Sequence, residues 1–511
     1  MYENGGFFFG MDVLTNLIGG FQTALSLQNI YLCFIGCLWG SMVGVLPGIG
    51  PLAGIALLIP VTYGLEVTGA IIMLAGIYYG AMFGGSTTSI LMNIPGESAS
   101  IVTCLDGYQM TRKGRAGAAL FIAAWGSWVG GTLAIMGIMF LAPLLANLAM
   151  KFGPSEMFGL LLVAFFLLGS LGTGSFLNTM AMVIFGLLLG TVGMDSLTGT
   201  LRFTFGIHDL YDGIGFVPVA MGAFGFGEIL YSTAESAVRD VYKPRFRELL
   251  PNRKELRASW GPILRGSGIG FFIGLLPGSA HILSSFISYI TEKRLAKNPE
   301  EFGTGRIEGV AGPETANNAA TGGAMIPFLA LGIPTGPAIA VMMIALLIHG
   351  IRPGPLFISE QPQIFWALIA SMYIGNIILV GLNLPLVGLF VSLLRIPFRA
   401  LFPIILLICL IGTYSVNLSS FELLVLLGSG VLGYFFRKLK YDLAPFILAL
   451  IIGPTLEETF RQSLMRSGGS FSIFWERPIA LTFIGFSLLL LIWNIYKSIR
   501  VGEKADRSNV L

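Results

Sequence analysis

The sequence predicts an all-α polytopic membrane protein made of two inverted-topology repeats, each containing broken helices. Three observations lead there. Of 511 residues, 55% are hydrophobic and only 11% are charged, with a mean hydropathy of +0.81; soluble domains carry about 25% charged residues. Apolar stretches long enough to enter a bilayer are interrupted by proline and glycine, as in GVLPGIGPLAGIALLIP, Gly44 to Pro60. Finally, landmarks of the first half recur in the second at a steady offset.

Proline removes a backbone donor and glycine adds freedom, so Pro47, Gly48, Gly50 and Pro51 should break the helix inside the apolar layer. Broken backbone at that depth is tolerated only where it is buried in protein or lines a polar cavity. GLLPG, Gly274 to Gly278, repeats the device. The net charge of +3 says little by itself; the placement of Lys and Arg says more. Cys33, Cys37, Cys104 and Cys409 have no CxxC spacing and read as small packed residues. The absence of a basic n-region argues against a cleaved signal peptide, and no nucleic-acid partner is expected.

In chain order, residues 1–28 form a lead without Lys or Arg that suits an interfacial helix. Residues 29–233 are the first membrane repeat. It comprises the broken hairpin Asn29 to Val61, an interrupted region Thr68 to Leu105 holding GGSTTSILMNIPGES, and segments near Gly117–Leu148, Ser155–Leu171, Phe176–Val192 and Asp212–Tyr231. Residues 234–259 form a cytoplasmic linker with the densest basic cluster, Arg239 to Arg257. Residues 260–477 are the second repeat, with its own LPG break, an interrupted region Gly312 to Gly350, and further segments to Leu456. Residues 478–511 add an unpartnered transmembrane helix and a cytoplasmic tail. Pro47 and Pro277, Asp212 and Asp442, and Glu228 and Glu458 are each 230 apart, and Pro95 and Pro334 are 239 apart, which an insertion explains.

Charge then orients the halves. Arg112, Lys113 and Arg115 follow the first interrupted region, whereas only Arg352 follows the second. Lys293, Arg294, Lys297 and Arg306 follow the second hairpin, and no basic residue follows the first until Arg112. Arg437, Lys438 and Lys440 follow a segment whose counterpart leads into Met194 to Thr200, which has none. Basic loops mark the cytoplasmic side, so matching loops lie on opposite sides. The N-terminus is then outside, and Lys497, Arg500 and Lys504 are inside.

Paired broken segments in inverted repeats are the architecture of secondary transporters, with substrate and ions bound at the midplane. Helix N-termini freed at the breaks suit an anion, and the opposite ends, with Asn and Thr oxygens, suit a cation such as Na⁺. Ser86, Thr87, Thr88, Ser89 and Asn93 flank the first IP turn; Glu314, Thr315, Asn317 and Asn318 precede the second. Close helix packing explains isolated Ser and Thr residues equally well, whereas the run GGSTTS beside a break favours a functional role. Glu314 is a carboxylate at membrane depth, a functional candidate by its cost; the competing assignment puts it at the cytoplasmic surface near Arg306. His281 follows the second LPG turn and is a candidate donor to a carboxylate, or a structural histidine. His208 and His349 read as loop and boundary residues, and Glu228 and Glu458 as segment ends.

GVLPGIGP in the first half resembles the large membrane subunit of the tripartite tricarboxylate transporters. So do GLLPGSAHILSSFISYITEKRL and FGTGRIEGVAGPETANNAATGGAMIPFLALGIPTGPAIAVMMIALLIHGIRPGPLF in the second. The resemblance runs from about Leu27 to Arg477 and matches the family motif at Pro47, Gly48, Pro277, Gly278, Glu314, Asn317 and Asn318. It implies a multi-pass bacterial inner-membrane carrier, elevator-like in its alternating access, that imports carboxylates. It also implies a periplasmic solute-binding protein and a small membrane subunit of about four helices as partners, and a cation gradient, commonly Na⁺, as driving force. The chain departs from the family at Ile333-Pro334-Thr335, where IPG is usual, and at His281, where a smaller residue is usual.

The candidate substrate contacts are thus Pro47, Gly48, Ser86, Thr87, Thr88, Asn93, Pro277, Gly278, Ser279, His281 and Thr335. The candidate ion-coupling set is Glu314, Thr315, Asn317 and Asn318, and no cofactor beyond the coupling cation, Na⁺ or H⁺, is expected. A passive anion channel and an intramembrane enzyme stay open as alternatives. The enzyme lacks an HExxH or GxSxG motif, and the channel gives no reason for paired hairpins.

Overall fold

The computed structural model describes the chain apart from residues 1–4, 47–49, 172–175, 196, 228–229, 232–249, 279, 394–402, 404–405, 408, 412, 415–418, 440, 442 and 509–511. The first half contains α1 (Gly5–Ala24), α2 (Leu27–Val45), α3 (Gly50–Thr62), α4 (Val67–Met92), α5 (Ile101–Arg112), α6 (Ala116–Ala149), α7 (Pro154–Leu171), α8 (Phe176–Gly190) and α9 (Phe216–Ala220), which continues as a π-helical turn, Met221–Phe226. The second contains α10 (Arg253–Gly274), α11 (Ala280–Leu295), α12 (Glu308–Leu331), α13 (Pro337–Ile348), α14 (Pro362–Asn383), α15 (Val387–Leu393), α16 (Ser420–Lys438), α17 (Leu443–Arg466) and α18 (Pro478–Ser508). Two short antiparallel strands, β1 (Gly193–Met194) and β2 (Leu201–Arg202), form the sheet seen among the described residues.

Among those residues, six helices are long and apolar enough to cross a membrane. The chain is therefore a helical, multi-pass membrane protein.

The breaks fall where backbone chemistry dictates. α2 ends before Pro47, because the residue preceding a proline is steered out of the helical region. α3 resumes at Gly50, whose φ of 65° is left-handed and suits glycine. α4 stops at Asn93 in the left-handed conformation (φ 58°), ahead of Ile94-Pro95. α12 stops the same way at Gly332 (φ 70°), whose N–H returns to Phe328 and Pro327 carbonyls, ahead of Ile333-Pro334. Asn93 and Gly332 keep the 239-residue offset of the two prolines. Pro313 and Pro327, by contrast, lie inside α12 without ending it.

One packing device occurs twice. A Cβ at Gly36, Gly40 or Gly44 of α2 would fall 2.1–2.5 Å from the carbonyl oxygens of Met73, Ile77 and Ala81 on α4. A Cβ at Gly266, Gly270 or Gly274 of α10 would likewise fall 2.1–2.5 Å from those of Gly312, Ala316 and Ala320 on α12. The glycines are displaced by 230 residues and their carbonyl partners by 239, the two offsets of the sequence landmarks. Both receiving helices sit in the interior. The apolar span of α4 is 94% buried within the protein, and α12 is buried from Gly309 to Ala330.

α6 closes on α12 at Gly126 and Gly130, which abut Thr315. α14 lies across α2, where Cys33 and Cys37 donate to the Ser371 and Gly375 carbonyls at 3.6 and 3.7 Å. These thiols are buried packing groups. α1 is seated on α14, with Gly20 against the Trp366 carbonyl and Phe21 stacked on Tyr373, so the lead is a packed helix. The basic linker is shorter than 234–259. Its residues 253–259 belong to α10, started by a capping box in which Asn252 and Glu255 satisfy each other's backbone N–H. Most of the linker, with Glu228 and Asp442, lies outside the described residues.

The loops sort into two pairs. At the end of α3, Thr62 meets His349 just beyond α13, 3.2 Å from hydroxyl to Nε2. In the last turn of α5, Gln109 and Met110 meet Gly305 of the loop after α11.

Because Gly40 and Gly270 have no room for a methyl group, Gly40→Ala and Gly270→Ala should each lower stability by about 1–3 kcal/mol. Gly268→Ala, on the same helix with nothing within 4 Å, should be neutral or up to ~1 kcal/mol stabilising. Thermal melts of the purified chain measure the contrast.

Candidate functional site

In the second half the hairpin tip meets the later proline turn: the Gly278 N–H donates to the Thr335 carbonyl at 2.8 Å, with Gly278 at φ 126°. Thr335 also donates its hydroxyl to the Ala324 carbonyl of α12. In the first half a Cβ on Gly96 would lie 2.3 Å from the Gly44 carbonyl and 2.7 Å from the Gly85 Cα, so the last turn of α2 and the proline turn are in backbone contact there. The structure thus brings Pro277, Gly278 and Thr335 to one place. Pro47, Gly48 and Ser279 lie outside the described residues.

A polar cluster joins the halves beside these turns. Glu97, just after Pro95-Gly96, caps the following turn by accepting from the Ala99 N–H at 2.8 Å. Its other carboxylate oxygen accepts from Asn317 Nδ2 of α12 at 3.0 Å. Thr103 of α5 donates to Glu314 Oε1. Asn318 donates to Ser127 Oγ of α6 at 2.6 Å and to the Glu314 carbonyl at 3.1 Å. Tyr78 of α4 and His281 of α11 share a hydrogen bond at 3.1 Å, with ring planes at 84°. Glu314, Asn317 and Asn318 are 1–3% exposed. Three acceptors here have no partner among the described residues: Glu314 Oε2, Asn317 Oδ1 and Asn318 Oδ1. Glu314 is thus buried inside the bundle; the surface placement is excluded.

Helical phase separates the remaining candidates. Thr315 turns toward α6 and gives its hydroxyl to the Ala311 carbonyl, away from the Glu97 contact. Ser86, Thr88 and Ser89 bond carbonyls of their own helix, Phe83 and Gly85, and Thr87 is 2% exposed. Asn93 is exposed at the α4 cap. Four residues that the motif reading passed over belong to the cluster: Tyr78, Glu97, Thr103 and Ser127. Glu97 carried the same signal as Glu314, a carboxylate beside a helix break in apolar sequence.

Asp106 holds the frame beneath the cluster. It is fully buried and accepts from the Tyr289 hydroxyl at 2.9 Å and from the backbone N–H groups of Gly303, Gly305 and Arg306 at 2.7–3.0 Å. The loop entering α12 is thereby fixed to α5, and with it the register of Glu314 against Thr103.

Residues 30–448 match the family model described as the tripartite tricarboxylate transporter TctA family. The chain belongs to this family. Its members are the large membrane subunits of tripartite tricarboxylate transporters, which work with a small membrane subunit and a periplasmic binding protein. An uncharacterised 52.8 kDa protein in the TAR-I ttuC' 3' region of Agrobacterium vitis is 48% identical over 497 residues, 97% of this chain and 99% of that protein. A protein of the TAR-II ttuC' 3' region of the same organism is 48% identical over 231 residues, 45% of this chain and 96% of that protein. No solved structure matches.

A cavity of about 340 Å³ lies apart from the cluster, where the ends of α8 and α17 meet the β1–β2 loop. Arg461 bonds Asp195 at 2.5 Å and Glu457 at 3.2 Å, and Arg202 bonds Glu457 at 2.7 Å. The Arg461 guanidinium, helped by the Thr198 N–H, holds the Asp195 carboxyl well below the usual carboxylate range. A depressed folded value contributes stability above the unfolded value and loses it as pH falls through the folded one. Arg461→Gln should therefore melt earlier than the parent at neutral pH, with the gap narrowing as pH falls below about 4. Melts across pH 7 to 3 read this directly.

Proposed function

We propose that the chain is the large transmembrane subunit of a binding-protein-dependent secondary transporter. It imports carboxylates of the tricarboxylate or dicarboxylate class, driven by a cation gradient, Na⁺ before H⁺. The observation that carries this proposal is the closure of each hairpin on the proline turn of its half, the tip residue Gly278 on Thr335 and the last turn of α2, at Gly44, on Gly96. It provides two backbone-lined breaks in a helical bundle, the arrangement in which carriers bind substrate and ions. The carboxylate would meet freed N–H groups and the Tyr78–His281 pair near Pro47, Gly48, Pro277, Gly278, Ser279 and Thr335. The cation would meet the acceptors of α12 at Glu314, Asn317 and Asn318.

Inverted topology is supported by the loop pairs. The hairpin end of each half meets the interrupted-region end of the other, as a two-fold axis in the membrane plane requires. One pair carries Arg112, Lys113, Arg115, Lys293, Arg294, Lys297 and Arg306; the pair at Thr62 and His349 is nearly free of basic residues. The basic pair would be cytoplasmic in a bacterial inner membrane, with the N-terminus periplasmic and the C-terminus cytoplasmic. Alternating access would move a unit bearing both hairpins, elevator-like, against the remaining helices. A small four-helix membrane subunit and a periplasmic solute-binding protein complete the assembly.

In proteoliposomes holding the chain with its small subunit and a carboxylate-loaded binding protein, uptake should collapse when the Na⁺ and H⁺ gradients are both removed. Uptake indifferent to both gradients would return the passive channel. Asn318→Ala, which removes two hydrogen bonds of α12 to neutral acceptors, should cut uptake about tenfold, since two such bonds contribute ~0.5–1.5 kcal/mol each.

A further inference from the structure

We propose that the half-buried Glu97 and the buried Glu314, one from each half of the chain, form with Thr103 and Asn317 a single site for a monovalent cation. The inference deepens the transport proposal by naming the ion's ligands, and it adds Glu97 to them. Two short segments interlock here. Glu97 reaches from the first proline turn to Asn317 of α12, and Glu314, one helical turn before Asn317, is reached by Thr103 from α5, which follows directly on the turn that Glu97 caps. Residues three apart on a helix share a face, so both carboxylates converge on the seam between the segments.

The seam lacks positive charge. Neither carboxylate has an ion pair among the described residues, although Asp195, Glu156, Glu255, Glu292 and Glu457 are each paired to an arginine. Glu314 Oε2 and Asn317 Oδ1 are buried without a partner, on residues 1% exposed. Carboxylates out of water without a counter-charge are expensive. What is left open consists of acceptors only, which excludes an anion and suits a hard cation held by oxygens. Among the described residues no group of three or more His, Cys, Asp or Glu can share a metal ion. Two carboxylates diluted by a hydroxyl and an amide oxygen fit a singly charged ion better than a divalent one.

The test is thermal unfolding of the full-length chain in detergent, in NaCl against choline chloride at equal ionic strength. Na⁺ should raise the melting temperature of the parent by ~3 °C or more at saturation, because a ligand bound only to the folded state stabilises it. Glu301→Gln, an exposed acid that pairs with Arg306, should keep the shift. Glu97→Gln and Glu314→Gln should lose it, or need at least about tenfold more Na⁺ for half of it. Glutamine keeps an acceptor for Asn317 and Thr103, and a cooperative melt in choline shows that each variant folds. Thr103→Val, which removes one neutral oxygen, replaces any glutamine variant that does not. A full shift retained in any of these site variants, or no shift in the parent, overturns the site. If Na⁺-dependent uptake survives in both glutamine variants, the site fails and transport stands. If Na⁺ shifts the melt but no gradient drives uptake, transport fails and the site stands.

Discussion

Helix-on-carbonyl packing through glycine sets the distances on which everything else in this protein depends. At Gly36, Gly40 and Gly44, and again at Gly266, Gly270 and Gly274, the axes approach until only hydrogen fits between one helix and the backbone of the next. In an apolar solvent there is no hydrophobic drive to bring helices together, so dispersion across small residues and internal hydrogen bonds must do it. The consequence is positional. Gly44 and Gly274 are the last residues of these stripes before the LPG breaks, so tight packing delivers the ends of α2 and α10 to the ends of their central helices. There Gly44 meets the proline turn that follows α4, and Gly278 meets the one that follows α12.

Such packing also explains why α12 can be the most polar helix of the interior. Its acidic and amide side chains are surrounded on every side by other elements: α10 through glycine, α6 through Gly126 and Gly130, α5 through Thr103, and the first proline turn through Glu97. A polar helix exposed to lipid would leave these groups unsatisfied at a cost of several kcal/mol each. Enclosed, most are bonded, and the exceptions gather around one seam. Asp106 then fixes the loop entering α12 to α5, so the seam is held from below by four hydrogen-bond donors.

Local chemistry was legible in the sequence; tertiary phase was not. Pro47, Pro95, Pro277 and Pro334 announce breaks because proline acts on its own backbone, and their offsets of 230 and 239 recur in the glycine–carbonyl contacts. The four-residue glycine spacing was equally visible, but which carbonyl each glycine meets depends on a partner helix many residues away. Pro313 shows the limit from the other side: it looks like a breaker yet sits inside α12, which fixes Glu314 and Asn317 on one face and turns Thr315 to α6. Without knowing that α12 runs through Pro313, those residues read as one run. Glu97 is different. Its signal was present beside Pro95-Gly96, but its partner Asn317 is 220 residues distant, and only the fold joins them.

Charge is handled in two ways in this molecule, and the contrast bears on its chemistry. At the cavity between α8 and α17, Arg202 and Arg461 neutralise Asp195 and Glu457 in a network that water can reach. Such pairs hold loops in place and contribute little else. At the seam, the buried Glu314 and the half-buried Glu97 sit among hydroxyl and amide groups with no arginine among the described residues, although Arg306 pairs with Glu308 at the start of the same helix as Glu314. An arginine there would fix the charge permanently. Neutral donors leave the charge of the seam uncompensated, which is why the cation proposed for it would carry weight. Under that proposal, occupancy would be coupled to the relative position of the halves, because removing the counter-charge would make the joined seam the costly state.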